Sequence, residues 1–425
     1  MHSFEQMDAN LDLEDTAEFI AALDIGTSKL TISIGQVVNG KLRCLMGTVH
    51  TATKGIEQGR ITNVQEVAKS LRGLMEDVEA ILGFQVEEIH VGISDPSIAV
   101  HMNSAMVPVE DHVTRLDIMA VHKAAEAIPL QPYEAILHVL PTRYYVDKKA
   151  VTSPEGHRSV RLDVDAKIVT IPRSSIDAVQ RVCAEVGLIP VEIIFTPLAT
   201  ALAVTNPRSA FLGTIVIDMG AGTTDVTVHE GNKITYFDVI PAGGDYITSD
   251  LAQGLHCLAH EAENIKLQYG CANTMYIAEE EQPISELQQA GFSRWEISYH
   301  DVAAIMGARI DEILTMVMSR MEQAEVEIKD HFEIILTGGT SQMSHIRAYV
   351  EEVFQLRTAI GIPNVPQGEF DLARKPQFAS SVGLLMFANQ EQIRVETQVE
   401  SAPALSAQKP SVFSKVKSIF SGLFD

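Results

Sequence analysis

The sequence has few of the features that mark secreted, metal-binding or membrane-spanning proteins. Its four cysteines, Cys44, Cys183, Cys257 and Cys271, lie far apart without a Cys-x-x-Cys pair or a zinc-finger spacing. They therefore predict reduced thiols, and they exclude a disulfide framework or a cysteine-based metal site. The acidic start of the chain lacks the basic region and apolar segment of a secretory signal. No apolar run reaches the roughly 18 to 20 residues that cross a bilayer, so we expect a cytoplasmic protein.

Basic side chains are scarce relative to acidic ones. The chain has 32 Lys and Arg against 56 Asp and Glu, a formal net charge of −24. At neutral pH this charge repels nucleic acid, and it repels anionic membrane wherever no local patch reverses the sign. We therefore predict no nucleic-acid partner. A hydrophobic fraction of 46% over 425 residues allows more than one core and predicts two to three domains.

A short motif rich in glycine and hydroxyl groups occurs twice. The copies are Asp24-Ile25-Gly26-Thr27-Ser28-Lys29 and Asp218-Met219-Gly220-Ala221-Gly222-Thr223-Thr224-Asp225. Apolar or alternating runs flank the copies at 19–22 and 30–34 and at 213–216 and 226–228, which predicts two β-hairpins with the motifs at their tips. Glycine lets backbone N–H groups approach an anion, and an Asp at a strand end can hold a cation through water. Facing tips would clamp a nucleoside triphosphate with magnesium, although each copy alone is also explained as a plain turn.

A third strand also runs into glycine. The apolar run 333–336 ends in Thr337-Gly338-Gly339-Thr340-Ser341, which predicts a buried strand followed by a glycine pair and a helix start. Three such transitions in this order favour a phosphate site over three unrelated turns.

The order of two hairpins and a Thr-Gly-Gly strand end resembles the superfamily of actin, Hsp70 and the sugar kinases, in which two related α/β domains close over ATP. Within it the chain is similar to the FtsA family of bacterial cell-division proteins over most of its length. The stretches that carry this likeness are 55–59, 106–108, 136–141, 241–244, 248–252, 262–266, 336–339 and 381–385. The resemblance implies an α/β, actin-like (ribonuclease H-like) two-domain ATPase fold with an inserted α+β subdomain and a C-terminal amphipathic helix.

The hydrophobic pattern and the resemblance predict how the chain is divided. The expected parts are a disordered acidic arm 1–17, a first α/β domain 18–90, 172–205 and 372–389, an inserted subdomain 91–171, a second α/β domain 206–244 and 309–371, a helical subdomain 245–308, a flexible linker 390–410 and a membrane-targeting helix 411–425. Predicted helices cover 64–82, 115–127, 174–185 and 310–321, and a strand covers 191–195.

The end of the chain has a helical period of apolar residues. These are Val412, Phe413, Val416, Ile419, Phe420, Leu423 and Phe424, and the opposite face carries Ser414, Lys415, Lys417, Ser418 and Ser421. At ~1.5 Å per residue the helix would be about 22 Å long, too short to span a bilayer and suited to its interface. Docking on the body of the protein or on a partner is the alternative. The resemblance implies a membrane-targeting helix, and with only two lysines apolar burial is its main source of affinity.

The resemblance also implies roles for the residues of an ATP and Mg2+ site. Asp24 and Asp218 would hold Mg2+ through water. The residues matched to nucleotide contacts are Gly26, Thr27, Ser28, Lys29, Gly220, Ala221, Gly222, Thr223, Thr224, Gly243, Gly244, Glu263, Lys266, Gly338, Gly339 and Thr340. Of these, Ala221 departs from the glycine of many relatives and adds a methyl group to the second tip. Without the resemblance, Glu263 and Lys266 read as an ordinary solvated helix face.

In function, the resemblance implies a division protein that binds ATP, self-associates and recruits FtsZ and later division proteins to the cytoplasmic face of the inner membrane. The 245–308 subdomain would receive the C-terminal tail of FtsZ, and Arg309 matches a position in that docking region. At most weak ATPase activity is implied. The sequence identifies no catalytic residue; His138 and Glu192 are possible by position, but a structural role is favoured for each. A pilus-assembly protein and a soluble kinase of the same fold are the alternatives.

Overall fold

The computed structural model describes residues 18–38, 40–231, 233–277, 284, 297–365 and 371–400. Its strands are β1 Glu18–Ile25, β2 Lys29–Val38, β3 Lys41–Ala52, β4 Ile56–Glu57, β5 Arg60–Ile61, β6 Glu88–Ile93, β7 Ala99–Pro108, β8 Glu134–Val146, β9 Lys149–Val151, β10 Arg161–Pro172, β11 Ile189–Phe195, β12 Thr214–Met219, β13 Thr224–Glu230, β14 Lys233–Ile240, β15 Glu333–Thr337 and β16 Thr358–Ile360. Its α-helices are α1 Val64–Leu82, α2 Arg115–Ala125, α3 Arg173–Glu185, α4 Thr196–Val204, α5 Pro207–Leu212, α6 Gly244–Gly254, α7 Ala259–Tyr269, α8 Tyr299–Gln323, α9 Ile346–Phe354 and α10 Ala379–Glu400. The predicted arm 1–17 and tail 411–425 lie outside the described residues.

Two five-stranded sheets have the same topology. The first has the order β3-β2-β1-β6-β11 and the second the order β14-β13-β12-β15-β16. Each begins with an antiparallel meander and continues with two strands parallel to the first strand. Parallel strands need a crossover connection, which the intervening helices supply. The repeated order is what duplication of one α/β unit would produce.

Helices cover both faces of each sheet. In the first sheet, α1 and α3 pack on one face and α10 packs on the other. In the second, α6, α7, α8 and α9 pack on the outer face, while α4 and α10 contact the inner one. Every residue of β12 is buried, as expected of a strand that is covered on both sides. The layer of α4 and α10 therefore joins the two sheets.

The close contact of α4 with α10 depends on a glycine. A Cβ atom added at Gly383 would lie 2.0 Å from the backbone oxygen of Ala199. The absence of a side chain at Gly383 thus lets the two helix backbones approach closely, and eight of the nine residues of α4 are buried. This tight layer positions both strand ends that carry Asp24 and Asp218.

A third sheet is inserted between β6 and α3. Its order is β7-β10-β8-β9, with antiparallel pairing throughout, and α2 packs on one face. Leu162, Val164, Ala166 and Ile168 on alternate positions of β10 point into that core. The strict alternation is typical of a sheet with one covered face and one open face.

Several predicted elements are present with small shifts. Both motif hairpins form, with Leu23 opposite Ile32 and Ile217 opposite Val226. Helix α1 has the predicted bounds, α2 ends two residues earlier than predicted, and α3 begins one residue earlier. Helix α8 is longer than predicted and runs without interruption through the boundary expected at residue 308. Among the described residues, no helix is both long enough and apolar enough to cross a membrane.

The prediction that a flexible linker starts at residue 390 is wrong. Helix α10 continues to Glu400. The segment 390–400 contains Gln, Glu, Ile, Arg, Val and Thr but neither Gly nor Pro, so nothing in it breaks the helix, and the next proline along the chain is Pro403. The rest of the predicted linker, 401–410, lies outside the described residues.

Candidate functional site

A cleft of about 790 Å³ lies between the two sheets at the ends of their central strands. Both motif tips line it, together with the strand end after β15 and the middle of α7. The predicted site residues that line the cleft are Asp24, Gly26, Thr27, Ser28, Lys29, Asp218, Gly220, Ala221, Gly222, Thr223, Gly244, Glu263, Lys266, Gly338, Gly339 and Thr340. Residues that are far apart in the sequence are thus brought into one site.

The two tips have the same turn. The N–H of Gly26 donates to the carbonyl of Lys29 at 3.1 Å, and the N–H of Gly220 donates to the carbonyl of Thr223 at 2.9 Å. The tips also contact each other, because a Cβ atom added at Gly222 would lie 2.3 Å from Oγ1 of Thr27. A side chain at position 222 would therefore push the two domains apart.

The start of α6 is bonded to the second tip. The N–H groups of Gly244 and Asp245 donate to the carbonyls of Gly220 and Ala221, at 2.9 and 2.8 Å. A Cβ atom at Gly243 would lie 2.6 Å from that same Ala221 oxygen, so this loop needs glycine to pack on the tip. Any shift of the second tip is therefore passed directly to the first turn of α6.

Two predicted nucleotide contacts, Thr224 and Gly243, are not among the described residues that line the cleft. Thr224 is the first residue of β13, where it is fully buried and its hydroxyl donates to the carbonyl of Ala242 at 2.8 Å. Gly243 lies behind the second tip. Both residues support the second tip, and their predicted contact with a nucleotide stays a prediction.

Three carboxylates face the cleft, of which Asp218 and Asp225 are buried and Asp24 is partly buried. Burial raises the pKa of Asp24 to about 6. Burial also raises the pKa of Asp218. Ser380 and Thr200 donate hydrogen bonds to its Oδ2 at 3.0 and 3.1 Å, and these bonds act in the opposite direction. The pKa of Asp225 is well above its ordinary value because of burial and the neighbouring charge of Asp218. Burial and mutual repulsion disfavour the ionised forms of these groups, and a bound cation would offset both effects.

Lys29 lies beside these carboxylates. Burial lowers the pKa of its ammonium group, and the charges of Asp24 and Asp218 oppose this shift. Its Nζ is 5.1 Å from the centre of the Phe378 ring. Lys29 therefore combines a positive charge with a fixed position at the floor of the cleft.

Glu263 and Lys266 form an ion pair on the wall of the cleft. Nζ of Lys266 is 2.7 Å from Oε2 of Glu263. The same ammonium donates to the carbonyl of Gly244 at 3.0 Å and to Oγ1 of Thr248 at 2.8 Å. The pair is thus held by α6, whose start packs on the second tip, and does not form an ordinary solvated helix face.

The strand end after β15 approaches the second motif. Gly338 has φ +88°, and a Cβ atom there would lie 2.3 Å from Oδ1 of Asp218. The hydroxyl of Thr340 donates to the carbonyl of Gly220 at 3.1 Å. The helix predicted to start here is a single 3₁₀ turn at Thr340–Gln342, and α9 begins only at Ile346.

The sequence reasoning missed a contact between the domains. Oγ of Ser94, in the loop after β6, lies 2.8 Å from both carboxylate oxygens of Asp225. Asp225 is the last residue of the second motif, but the sequence gives it no separate role in the site. No local pattern marks Ser94. Ser380, which holds Asp218, also gives no local signal because it is the second residue of an ordinary apolar helix.

His138 and Glu192 are not among the described residues that line the cleft. Nε2 of His138 accepts the backbone N–H of Phe195 at 2.9 Å, and its ring packs against Phe387. Oε2 of Glu192 lies 3.8 Å from Nδ1 of His90. The structure thus gives both residues supporting contacts at a distance from the motif tips.

The neutral state of His138 makes a testable prediction. Burial lowers its pKa to about 4, so between pH 4 and about 6.5 the unfolded chain binds more protons than the folded chain, and stability falls as the pH falls. His138→Gln keeps an acceptor for the Phe195 N–H but does not titrate. From pH 7 to pH 5 we expect the wild type to lose about 2 kcal/mol more unfolding free energy than the variant. Urea unfolding at both pH values measures this, and equal losses would contradict it.

Arg309, the predicted docking residue, lies on α8 outside the cleft. Its Nε and Nη2 donate to the two carboxylate oxygens of Asp250 at 2.6 and 2.9 Å, and Nη1 contacts Glu312. The guanidinium carbon is 5.3 Å from the centre of the Tyr246 ring. Arg309 is thus held in one orientation by α6 and by its own helix.

Within the described ranges, no group of three or more His, Cys, Asp or Glu side chains is arranged to hold a metal ion. The carboxylates of the cleft can instead contact a cation through water, as the sequence analysis expects for Asp24 and Asp218.

Two protein-family models match the chain. Residues 215–383 match the model described as Cell division protein FtsA. Residues 96–170 match the model described as the SHS2 domain inserted in FtsA. The second match covers the sheet inserted between β6 and α3.

Individual proteins are similar over most of the chain. The Cell division protein FtsA of Neisseria meningitidis serogroup B is 32% identical over 380 residues, which are 88% of this chain and 91% of that protein. The solved PilM-PilN type IV pilus biogenesis complex is similar with a TM-score of 0.59 and 16% identity, covering 87% of this chain and 98% of that chain. The structure of MreB5 of Spiroplasma citri bound to ADP has a TM-score of 0.50 and 14% identity, covering 92% and 100%. The predicted actin-like fold is confirmed.

Proposed function

Because this chain belongs to the FtsA family of cell division proteins, we propose that it binds ATP and Mg2+, self-associates and tethers the FtsZ ring to the cytoplasmic face of the inner membrane at the division site. The observation that supports this most is the cleft, in which two hairpin tips of the same geometry face each other across two related domains. The family membership agrees with the motifs from which it was predicted.

The phosphates of ATP are proposed to lie between the tips. The backbone N–H groups at 27–28 and 221–223 are the proposed donors to the phosphates, since a tight turn of this kind forms an anion-binding concavity. Thr27 and Thr223 add hydroxyl groups, and Lys29 adds a positive charge that acts as a point charge on a phosphate. Binding of a polyphosphate here would draw the two domains together, because each tip belongs to a different domain.

Magnesium fits the carboxylates at the floor of the cleft. Asp24 and Asp218 end the central strands of the two sheets, and burial raises the pKa of both. Mg2+ keeps several of its waters and is commonly bound by one or two carboxylates together with substrate phosphates. When bound, it would neutralise phosphate charge, while Thr200 and Ser380 keep the carboxylate of Asp218 in place.

The nucleoside is proposed to lie between α7 and the strand end after β15. Glu263 and Lys266 line one side of the cleft, and Gly338, Gly339 and Thr340 line the other. An actin-like neighbour of this fold, MreB5, has been solved with ADP and with AMPPNP, which agrees with a nucleotide in this cleft. We propose that ATP controls domain closure and assembly, with at most weak hydrolysis.

The parts of the chain are proposed to divide this work. The proposed domain boundaries are those predicted from the sequence, except that β6 of the first sheet extends to Ile93 and α10 extends to Glu400. The subdomain 245–308 would receive the C-terminal tail of FtsZ next to Arg309. Self-association would present several copies of this chain to later division proteins. The tail helix 411–425 would lie in the membrane interface, with Val412, Phe413, Val416, Ile419, Phe420, Leu423 and Phe424 as its buried face.

A pelleting experiment with three components tests the proposal. The purified full-length chain is mixed with phospholipid vesicles, Mg·ATP and FtsZ, and the vesicles are sedimented. FtsZ is expected in the pellet only when the chain is present, and FtsZ lacking its C-terminal tail is expected in the supernatant. If the chain pellets and intact FtsZ does not, the tether role is wrong.

The two alternatives now have less support. The relatives matched over most of the chain are division proteins, which disfavours the pilus-assembly function, since the PilM-PilN likeness at 16% identity concerns only the fold. A soluble kinase needs a catalytic carboxylate that faces an acceptor pocket. The cleft carboxylates instead lie at strand ends with hydroxyl partners, and kinase activity gives no reason for the amphipathic tail.

A further inference from the structure

Tyr246 joins the second domain to the first, next to residues that line the cleft. It is the third residue of α6, and its phenol oxygen accepts a hydrogen bond from the side-chain amide of Gln58. Gln58 belongs to the first domain, in the turn between β4 and β5. The other side of the ring faces the guanidinium of Arg309, 5.3 Å from the ring centre. One side chain thus joins the first domain to the proposed docking residue.

Gln58 and Tyr246 form the hydrogen bond between the two domains, and each of them is connected to one motif tip. On the first side, the N–H of Gly59, next to Gln58, donates to Oγ1 of Thr27 at 3.2 Å. On the second side, the N–H of Gly244 donates to the carbonyl of Gly220 at 2.9 Å, two residues before Tyr246. A ligand that changes the spacing of the tips must therefore change the spacing of Gln58 and Tyr246.

Tyr246 contributes to the orientation of Arg309. Its guanidinium makes a two-point contact with Asp250 on α6, and its planar face lies against the Tyr246 ring of the same helix. A guanidinium held in this way presents its remaining N–H groups in a fixed direction, which favours planar recognition of a carboxylate. Rotation of the Tyr246 ring would remove the support on one face.

We propose that Tyr246 is a positioning residue that couples the nucleotide cleft to the docking of a peptide at Arg309. With Mg·ATP between the tips, the Gln58–Tyr246 bond is kept and the ring holds the guanidinium in the binding orientation. With the cleft open, the bond is lost and the ring is released. This inference rests on the proposed function, in which the cleft takes ATP and Arg309 takes the FtsZ tail.

The test compares the affinity for an FtsZ C-terminal tail peptide with and without Mg·ATP. Coupling between two sites typically changes affinity by about 5-fold to 150-fold. For the full-length wild type we expect Mg·ATP to tighten peptide binding by at least about 5-fold. Gln58→Ala and Tyr246→Phe both remove the bond, and each should lower this ratio to below about 2-fold while the affinity without nucleotide stays the same. Tyr246→Phe removes only the hydroxyl group and keeps the aromatic ring against the guanidinium of Arg309.

Two further variants separate coupling from general damage. Gln58→Glu can accept a hydrogen bond from the Tyr246 hydroxyl and should keep the ratio. Glu57→Ala changes an exposed side chain in the same turn and should also keep it. By linkage the peptide must tighten ATP binding by the same factor, which gives a second measurement on every variant.

The possible failures are distinguishable. A wild type that binds neither Mg·ATP nor the peptide overturns the proposed function and the inference with it. A wild type that binds both, but with the same peptide affinity in either state, overturns only the inference. So does a Gln58→Ala variant that keeps the full ratio.

Discussion

Alanine at position 338 should strongly weaken ATP binding, while alanine at the next position should leave the fold intact. Gly338 has φ +88°, a left-handed conformation that costs an L-residue about 1 to 2 kcal/mol. A Cβ atom there would also lie 2.3 Å from Oδ1 of Asp218 and 2.5 Å from the carbonyl of Met219. Asp218 cannot move away freely because Thr200 and Ser380 donate to its other oxygen.

We expect Gly338→Ala to lower the unfolding free energy by about 2 to 4 kcal/mol, since backbone strain and overpacking add. Displacement of the Asp218 carboxylate should weaken Mg·ATP binding by roughly 100-fold, about 2.7 kcal/mol, because one carboxylate of the proposed magnesium site is misplaced. Urea unfolding and titration with a fluorescent ATP analogue measure the two effects.

Gly339→Ala is the matched control. This glycine has φ −62°, which any residue adopts, and no atom of the described chain lies within 4 Å of the added Cβ. Its unfolding free energy should stay within about 0.5 kcal/mol of the wild type. If both variants are equally stable, or if Gly338→Ala binds Mg·ATP like the wild type, the geometry inferred for this strand end is wrong.

The hairpins were predictable because their signal is local. Glycine and hydroxyl residues between apolar runs predict a turn flanked by strands, and the pairings of Leu23 with Ile32 and of Ile217 with Val226 confirm this. Thr224 was assigned to the tip because it lies within the motif. Its pairing with Met219 instead makes it the first residue of the returning strand.

Contacts between the domains were not predictable from local pattern, but the internal duplication contains part of the information. In the first sheet Asp24 pairs with Gly92, and in the second Asp218 pairs with Thr337. Two residues further along, these strands reach Ser94 and Gly339, so Ser94 occupies in the first domain the place that Gly339 occupies in the second. Aligning the two halves would have indicated that Ser94 is at the cleft. Its contact with Asp225 depends on the packing of the two domains.

The tail prediction has the largest expected effect on localisation. Removal of 411–425 should abolish sedimentation with phospholipid vesicles in the presence of ATP, because the apolar face that the sequence places there is the proposed anchor. Full burial of a phenylalanine side chain is worth about 1.5 to 3 kcal/mol. Phe420→Glu on that face should therefore weaken vesicle binding by at least about 10-fold.

Ser421→Glu is the control for Phe420→Glu, because it introduces the same charge one residue along, on the polar face of the predicted helix. On vesicles of zwitterionic lipid, where charge contributes little, we expect Ser421→Glu to bind within about 2-fold of the wild type. Equal weakening by both substitutions would show that charge, and not burial, controls the binding. Unchanged binding after removal of 411–425 would mean that the tail packs on the protein or on a partner, and membrane attachment would then have to come from another part of the chain.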